Sequence, residues 1–233
     1  GVYVSNNGGL SWEKSLFISD STGAIDLIMD PQDPSFMMAA MWERVRRPVA
    51  NSGTHLYGPT SGIYRTFNGG LEWERLGPEK GLPDTYETRT GRIGLALYPQ
   101  NADTICALFT DGSNVSGLYR SSDRGDSWEQ LDPESQLAPG TGGFSWYFGQ
   151  LRIRPDDPDI IYVLDVAFMR SVDGGQTFPL RDGYGNNKGL HVDHHALAFH
   201  PEDPSYIIGG NDGGINISDD GGDTWVKVES LPV

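Results

Sequence analysis

Cysteine is almost absent: Cys106 is the only one in 233 residues, so no internal disulfide can staple this fold. It lies in the apolar run TICALF, the setting of a buried, inert thiol. Long apolar runs are missing as well. None approaches the roughly 18 residues that a membrane span needs, and no secretory leader is visible. Positive charge is scarce: Lys and Arg number 17 against 32 Asp and Glu, for a net charge of -15. Such a field repels phosphate backbones and argues against nucleic acid as a partner, while it suits cations, basic proteins and neutral sugars. Disorder is excluded by the aromatic content of 11%, and the 31 Gly and 15 Pro mark a chain of many turns.

What is present is repetition. The octets SNNGGLSW, TFNGGLEW, SSDRGDSW, SVDGGQTF and SDDGGDTW share a plan, with Asn7, Asn68, Asp123, Asp173 and Asp220 at the third position. These residues are separated by 61, 55, 50 and 47 positions. Each octet closes on an aromatic residue: Trp12, Trp73, Trp128, Phe178 and Trp225. A second motif leads each unit, as in IGLALYPQNADTICAL and LRIRPDDPDIIYVL, where two apolar runs flank a Pro/Asp turn and read as a β-hairpin. A third strand precedes each octet (GIYRT, GLYRS, GINIS), and a fourth starts at its aromatic. The period-2 alternation with dense Gly and Pro excludes helical repeats. The fold expected is all-β: a β-propeller of four-stranded antiparallel blades, strands A to D, with the octet as the C–D turn.

The first unit supplies only strands C and D. The expected division is a half blade at 1–20 and blades at 21–80, 81–137, 138–183 and 184–233. GVYVSNNGG already lies inside a repeat, so the chain is expected to be part of a larger propeller, either an open arc or a ring completed by further blades.

The octets read as structural. Asp or Asn in a tight turn accepts backbone N–H groups, glycine permits positive φ, and the aromatic covers the hairpin. Their acidity suggests Ca²⁺, but the spacing is not that of an EF-hand loop. Function is expected at the other end, where the D-to-A and B-to-C connections share one face. That face receives Trp42, Glu43, Arg44, Arg46 and Arg47 from one insertion, and Arg89 and Arg92 from YETRTGR. It also receives Trp146 and Tyr147 from GFSWYFG, Asp165, and the pair of segments HVDHH and GNDGG. Trp42 with its arginines reads either as a sugar or carboxylate grip or as an anchored loop; Trp146 and Tyr147 read as platform or core. If HVDHH enters a strand, His191, Asp193 and His195 point one way and His194 the other. With Asp212 these residues form a candidate site for Zn²⁺ or another divalent metal, a polar network, or a direct ligand contact shared with Asn211.

The octets resemble Asp-boxes, or BNR repeats, found in sialidases, xyloglucan-cleaving glycoside hydrolases, photosystem II assembly factors and the sortilin family. Across GVYVSNNGGLSWEKSLF, SGIYRTFNGGLEW, GLYRSSDRGDSW and HVDHHALAFHPEDPSYIIGGNDGG, the chain resembles large bacterial proteins called sortilin-like (VPS10-like) or "glycosyl hydrolase" BNR-repeat proteins. The resemblance implies export to the periplasm, cell surface or medium, and further blades and domains as partners. No FRIP-like arginine motif of a sialidase is present. NDGG, with Asp212, resembles the D-x-G-G element of xyloglucan-cleaving enzymes but lacks one residue before the glycine pair. A glycosidase also needs a second carboxylate, for which Asp165, Asp193 and Glu43 are the candidates. The expected role is a non-catalytic module binding a protein or glycan. The alternatives are a glycoside hydrolase fragment and a purely structural part of a surface assembly.

Overall fold

The computed structural model describes residues 1–46, 55–131, 134–182 and 189–230. Strands β1 (Val2–Val4) and β2 (Glu13–Leu16) form a two-stranded sheet. Four four-stranded antiparallel sheets follow, each in chain order across the sheet. The first holds β3 (Thr22–Met29), β4 (Met37–Glu43), β5 (Gly62–Thr66) and β6 (Glu74–Leu76). The second holds β7 (Ile93–Leu97), β8 (Ile105–Thr110), β9 (Val115–Ser121) and β10 (Glu129–Leu131). The third holds β11 (Gln150–Arg154), β12 (Asp157–Leu164), β13 (Phe168–Ser171) and β14 (Leu180–Asp182). The last holds β15 (His194–Phe199), β16 (Ile207–Asn211), β17 (Gly214–Ser218) and β18 (Val226–Lys227). The A-to-D order read from the repeat is the order of every complete sheet.

The sheets stack through apolar faces, because alternate residues of each inner strand are buried between neighbours. Val2 and Leu16 of the half blade pack on Ala39, Met41 and Tyr64. Met38, Ile63, Ile93, Phe109 and Trp128 fill the next junction, and Leu118, Leu151, Val163 and Phe178 the one after. Tyr162, Phe168, Leu197 and Ile207 close the last. Among the described residues no such cluster joins the last sheet to the first pair of strands. Cys106 is fully buried in the third of these layers, and burial pushes its thiol up to about 12.

Each octet is a self-satisfied turn. In the third, Ser121 Oγ donates to Asp123 Oδ1 at 2.8 Å and accepts from the Gly125 amide at 2.8 Å. Asp123 Oδ1 also accepts the Ser127 amide at 2.9 Å. The same pattern recurs at Asn7, Asn68, Asp173 and Asp220. Gly125 sits at φ 83°, beyond the comfort of any L side chain. The aromatic does more than cover its own hairpin. Trp73, Trp128, Phe178 and Trp225 each pack into the junction with the preceding unit. Trp12, with no sheet on that side in this chain, is 62% exposed.

Arginines one position before the octets bind the next unit. Arg65 Nη1 donates to the Arg124 carbonyl at 2.9 Å, Arg120 Nη1 to Gly174 at 3.1 Å, and Arg170 Nη1 to Gly221 at 2.6 Å. The octets are therefore joints between blades as well as turns within them.

Candidate functional site

The connections opposite the octets are tied together unit by unit. Gly58 N–H donates to the Thr90 carbonyl at 3.0 Å, and Ser145 N–H to Ser113 at 2.9 Å. Asp193 N–H donates to Val166 at 2.9 Å and His194 N–H to Asp165 at 3.0 Å. At these three junctions the B-to-C connection of one blade thus meets the D-to-A connection of the next. These bonds satisfy loop backbone that would otherwise be buried unpaired, and they make the face one surface.

An aromatic row crosses that surface. Trp146 is partly buried, Tyr147 is 51% exposed and Phe148 is buried, with Trp146 and Tyr147 set edge-on at 68°. On one side, Arg44 and Arg46 lie over the Trp146 ring at 6.0 and 5.6 Å. On the other, the His195 ring lies 6.0 Å from Tyr147 and 5.3 Å from Phe148. His195 Nε2 is 2.7 Å from Asp212 Oδ1. Residues from three blades converge here: the 42–46 insertion, the 143–149 segment, and HVDHH with GNDGG.

Beneath the row, Arg92 Nε donates to the Gly149 carbonyl at 3.2 Å. Burial lowers the Arg92 guanidinium below its ordinary value, opposed by Asp26 and Asp165 and reinforced by Arg152 and Arg44. Asp165 is fully buried, and its Oδ1 accepts the Val166 amide at 2.8 Å. Burial pushes its carboxyl up to about 7, although the Val166 amide, Ser145, the Gly149 amide and Arg92 all act to lower it. Asp193 is raised by burial and then by the Asp212 charge, with His191 and His195 pulling the other way.

The alternation expected through HVDHH does not hold. Asp193 adopts φ 67°, because its N–H and that of His194 are both held by the 165–166 carbonyls, and β15 begins only at His194. His195 then bulges between the His194–Asn211 and Ala196–Gly210 pairs. His194 is 2% exposed with its ring 5.8 Å from Phe168, and burial lowers it to about 4. His191 is exposed, and its Nδ1 lies 2.9 Å from the Val192 carbonyl. Among the described residues no three His, Cys, Asp or Glu side chains are grouped to hold a metal ion. Asn211 is buried and its Oδ1 accepts the Gly213 amide at 3.0 Å.

The remaining candidates lie at the rim. Trp42 is 4% exposed and donates Nε1 to the Leu56 carbonyl at 2.9 Å, so it anchors its insertion. Glu43 is engaged by Thr60 Oγ1 at 2.8 Å and lies 3.6 Å from His55 Nε2. Arg89 lies 5.0 Å over Tyr57 beside a cavity of about 450 Å³ shared with Tyr86 and Glu43. Arg47 lies outside the described residues. Sequence reasoning missed Arg152, Ser145 and Phe148. Arg152 sits in the middle of β11, within the LRIRP run that the sequence offered only as one arm of a β-hairpin. It borders a groove of about 430 Å³ along the inner strands, with Asp26, Leu95 and Ile153.

No family model and no curated protein matches the chain. Among solved structures it is similar to a GH74 enzyme of Niastella koreensis, with 17% identity, a TM-score of 0.59, and coverage of 91% of this chain and 31% of that one. The GH74 xyloglucanase from Xanthomonas campestris gives 16% identity and a TM-score of 0.53, covering 99% of this chain and 40% of that one. YCF48 from Cyanidioschyzon merolae gives 14% identity and a TM-score of 0.57, covering 92% and 58%. The chain thus spans less than two thirds of the length of these proteins. At such identities the likeness is one of fold, and the fold is that of a β-propeller built from four-stranded blades. No helix among the described residues is long and apolar enough to cross a membrane.

Proposed function

We propose that this propeller segment is a non-catalytic binding module that takes a protein or glycan ligand on the face opposite the octets. The observation that carries this reading is the row Trp146–Tyr147–His195, flanked by Arg44 and Arg46 at one end and Asp212 at the other. An exposed aromatic face with charged groups at its margins is the ordinary dress of a recognition surface. In the same reading the octets are Asp-boxes of a sortilin-like, exported bacterial protein. The units run 1–20, 21–80, 81–137, 138–183 and 184–233, with further blades outside this chain. The test is titration with a panel of oligosaccharides and a random peptide library, following the indole N–H resonances. The Trp146 signal is expected to shift, and Tyr147→Ala is expected to weaken binding about tenfold. A ligand that binds the parent and the Tyr147→Ala and Trp146→Ala variants equally would place recognition elsewhere.

A glycoside hydrolase fragment is the second reading. It is favoured by one observation: Asp212 N–H donates to the Asp193 carbonyl at 3.2 Å, which makes two acidic residues neighbours on this face, as a pair of carboxylates for acid and base roles requires. Turnover of a xyloglucan oligosaccharide that is lost in Asp212→Asn, with the fold retained, would select this reading over the first.

A further inference from the structure

The described arginines fall into two groups. Arg65, Arg120, Arg124, Arg154 and Arg170 all pair with carboxylates, at 2.7–3.3 Å. Arg44, Arg46, Arg92 and Arg152 do not, and neither do Arg75, held by Tyr86 and Thr85, and Arg89, over Tyr57: among the described residues none of these six has a carboxylate within ion-pair distance. Arg44 and Arg46 belong to the face opposite the octets and Arg92 lies beneath it, while Arg152 borders the inner-strand groove, its Nη1 donating to the Leu151 carbonyl at 2.6 Å and its Nη2 to Gln150 Oε1 at 3.2 Å. In a protein with a net charge of -15, arginines without a carboxylate partner are the reverse of what charge composition favours. Arg92 stands close enough to Arg152 and Arg44 for their like charges to act on it. Arg44 and Arg46 both lie within 6.0 Å of the Trp146 ring centroid.

Uncompensated cations held together repel one another, and partial burial of Arg92 adds a desolvation cost. An anion seated among them offsets both effects, and the guanidinium fork takes a carboxylate through two parallel hydrogen bonds. The rings of Trp146 and Tyr147 supply the second requirement, an open platform on which the C–H face of a sugar ring can lie. Asp26 and Asp165 act on Arg92 against the effect of burial, without an ion pair to it, which favours its charged form.

We propose that this face binds an acidic oligosaccharide, its carboxylates taken by Arg44, Arg46, Arg92 and Arg152 and a sugar ring laid on Trp146 and Tyr147. This rests on the reading of the face as a ligand site and narrows it to one class. The global negative charge then acts as a filter: flexible polyanions are repelled at a distance, and an anion shaped to the aromatic row reaches the arginines beside it.

Calorimetric titration of the whole chain with an oligogalacturonide and with a neutral cello-oligosaccharide of the same length tests this. The acidic probe is expected to bind at least about tenfold more tightly, and its affinity to fall as salt rises. Arg46→Gln, on an exposed loop residue, and Arg92→Gln are each expected to cost about tenfold for the acidic probe and to flatten its salt dependence. Tyr147→Ala is expected to weaken binding while leaving the salt dependence in place. Equal affinity for both probes, or parental binding by both arginine variants, overturns the acidic assignment; if Trp146→Ala still abolishes binding, the ligand face stands without it. Binding of a polyglutamate peptide but of neither oligosaccharide also overturns it, in favour of a protein ligand. Silence toward all three probes overturns the assignment and the face together.

Discussion

Arg170 reaches from β13 across the blade junction and donates Nη1 to the Gly221 carbonyl at 2.6 Å, while its Nη2 meets Asp223 at 2.7 Å. The side chain is largely buried, and the same carbonyl accepts Tyr162 Oη at 3.1 Å. Arg120 and Arg65 make the equivalent reach one and two blades earlier. Arg170→Ala is therefore expected to lower unfolding free energy by about 1–3 kcal/mol, since it strips a charge-assisted donor from a buried joint. Arg170→Lys is expected to recover less than half, because an ammonium cannot span both acceptors. Urea denaturation checks both. A loss below about 0.5 kcal/mol would mean that apolar packing alone holds the blades.

The octets offer an internal control. Two of the five carry Asn where the others carry Asp, and Asn68 Oδ1 accepts the Glu72 amide at 3.0 Å much as Asp220 Oδ1 accepts that of Thr224 at 2.8 Å. The acceptor, not the charge, is what the turn requires. Burial alone would raise Asp220, but hydrogen bonds from Thr224, Ser218 and the Asp223 amide hold it at about 2. Asp220→Asn is expected to be far milder than Asp220→Ala, which takes the acceptor from the Thr224 amide, the Thr224 hydroxyl and the Ser218 hydroxyl at once, at a cost of about 1 kcal/mol. Thermal melting of the two variants decides; equal losses would contradict this account.

Much of this was readable in the sequence, and the parts that were not have a common cause. Strands and octets follow local rules, alternation and turn chemistry, so GLYRSSDRGDSW declares β9 and its turn. The shared face followed from antiparallel geometry. What escaped were relations between units. Arg65, Arg120 and Arg170 stand in matching positions of GIYRT, GLYRS and AFMRS, but their acceptors lie roughly 50 residues away, on another blade. HVDHH looked like a strand because its pattern alternates. The carbonyls of Asp165 and Val166 instead capture its amides and turn Asp193 to positive φ. Asp165 looked like an accessible carboxylate in LDVA, yet the neighbouring connections cover it completely.

Two buried groups give the protein opposing pH responses. Asp165 is raised from 3.8 to about 7, so between those values the folded protein retains a proton that the unfolded chain has lost. Its contribution to stability therefore falls as pH rises from about 4 to 7. His194 is lowered from 6.5 to about 4, so over that window the unfolded chain holds the extra proton and stability rises with pH. The parent protein is expected to show little net slope from these two between pH 4 and 6.5. Asp165→Asn should unmask a rise, and His194→Gln a fall, each on the order of a few kcal/mol across the window. Urea midpoints at half-unit pH steps measure this. Parallel slopes in the two variants would exclude the opposition.

A Cβ on Gly94, beneath the site, would sit 2.6 Å from the Gly149 carbonyl oxygen. That carbonyl is the one Arg92 Nε holds, and Gly149 ends the segment that carries Trp146 and Tyr147. Gly94→Ala must push β7 and the 143–149 connection apart, and neither neighbour is a flexible side chain that can yield. A stability loss of about 1–3 kcal/mol is expected from the strain. The more telling effect is at the surface: displacing Gly149 loosens Arg92 and moves the aromatic row relative to Arg44 and Arg46. Gly94→Ala is therefore expected to shift the Trp146 indole resonance in the free protein and to weaken acidic-oligosaccharide binding, although residue 94 is buried and cannot touch the ligand. Gly23→Ala, at a position with open space around its Cβ, serves as the control and should alter neither. An unmoved Trp146 signal in Gly94→Ala would show that the connection is positioned by its bond to Ser113 rather than by the inner strand.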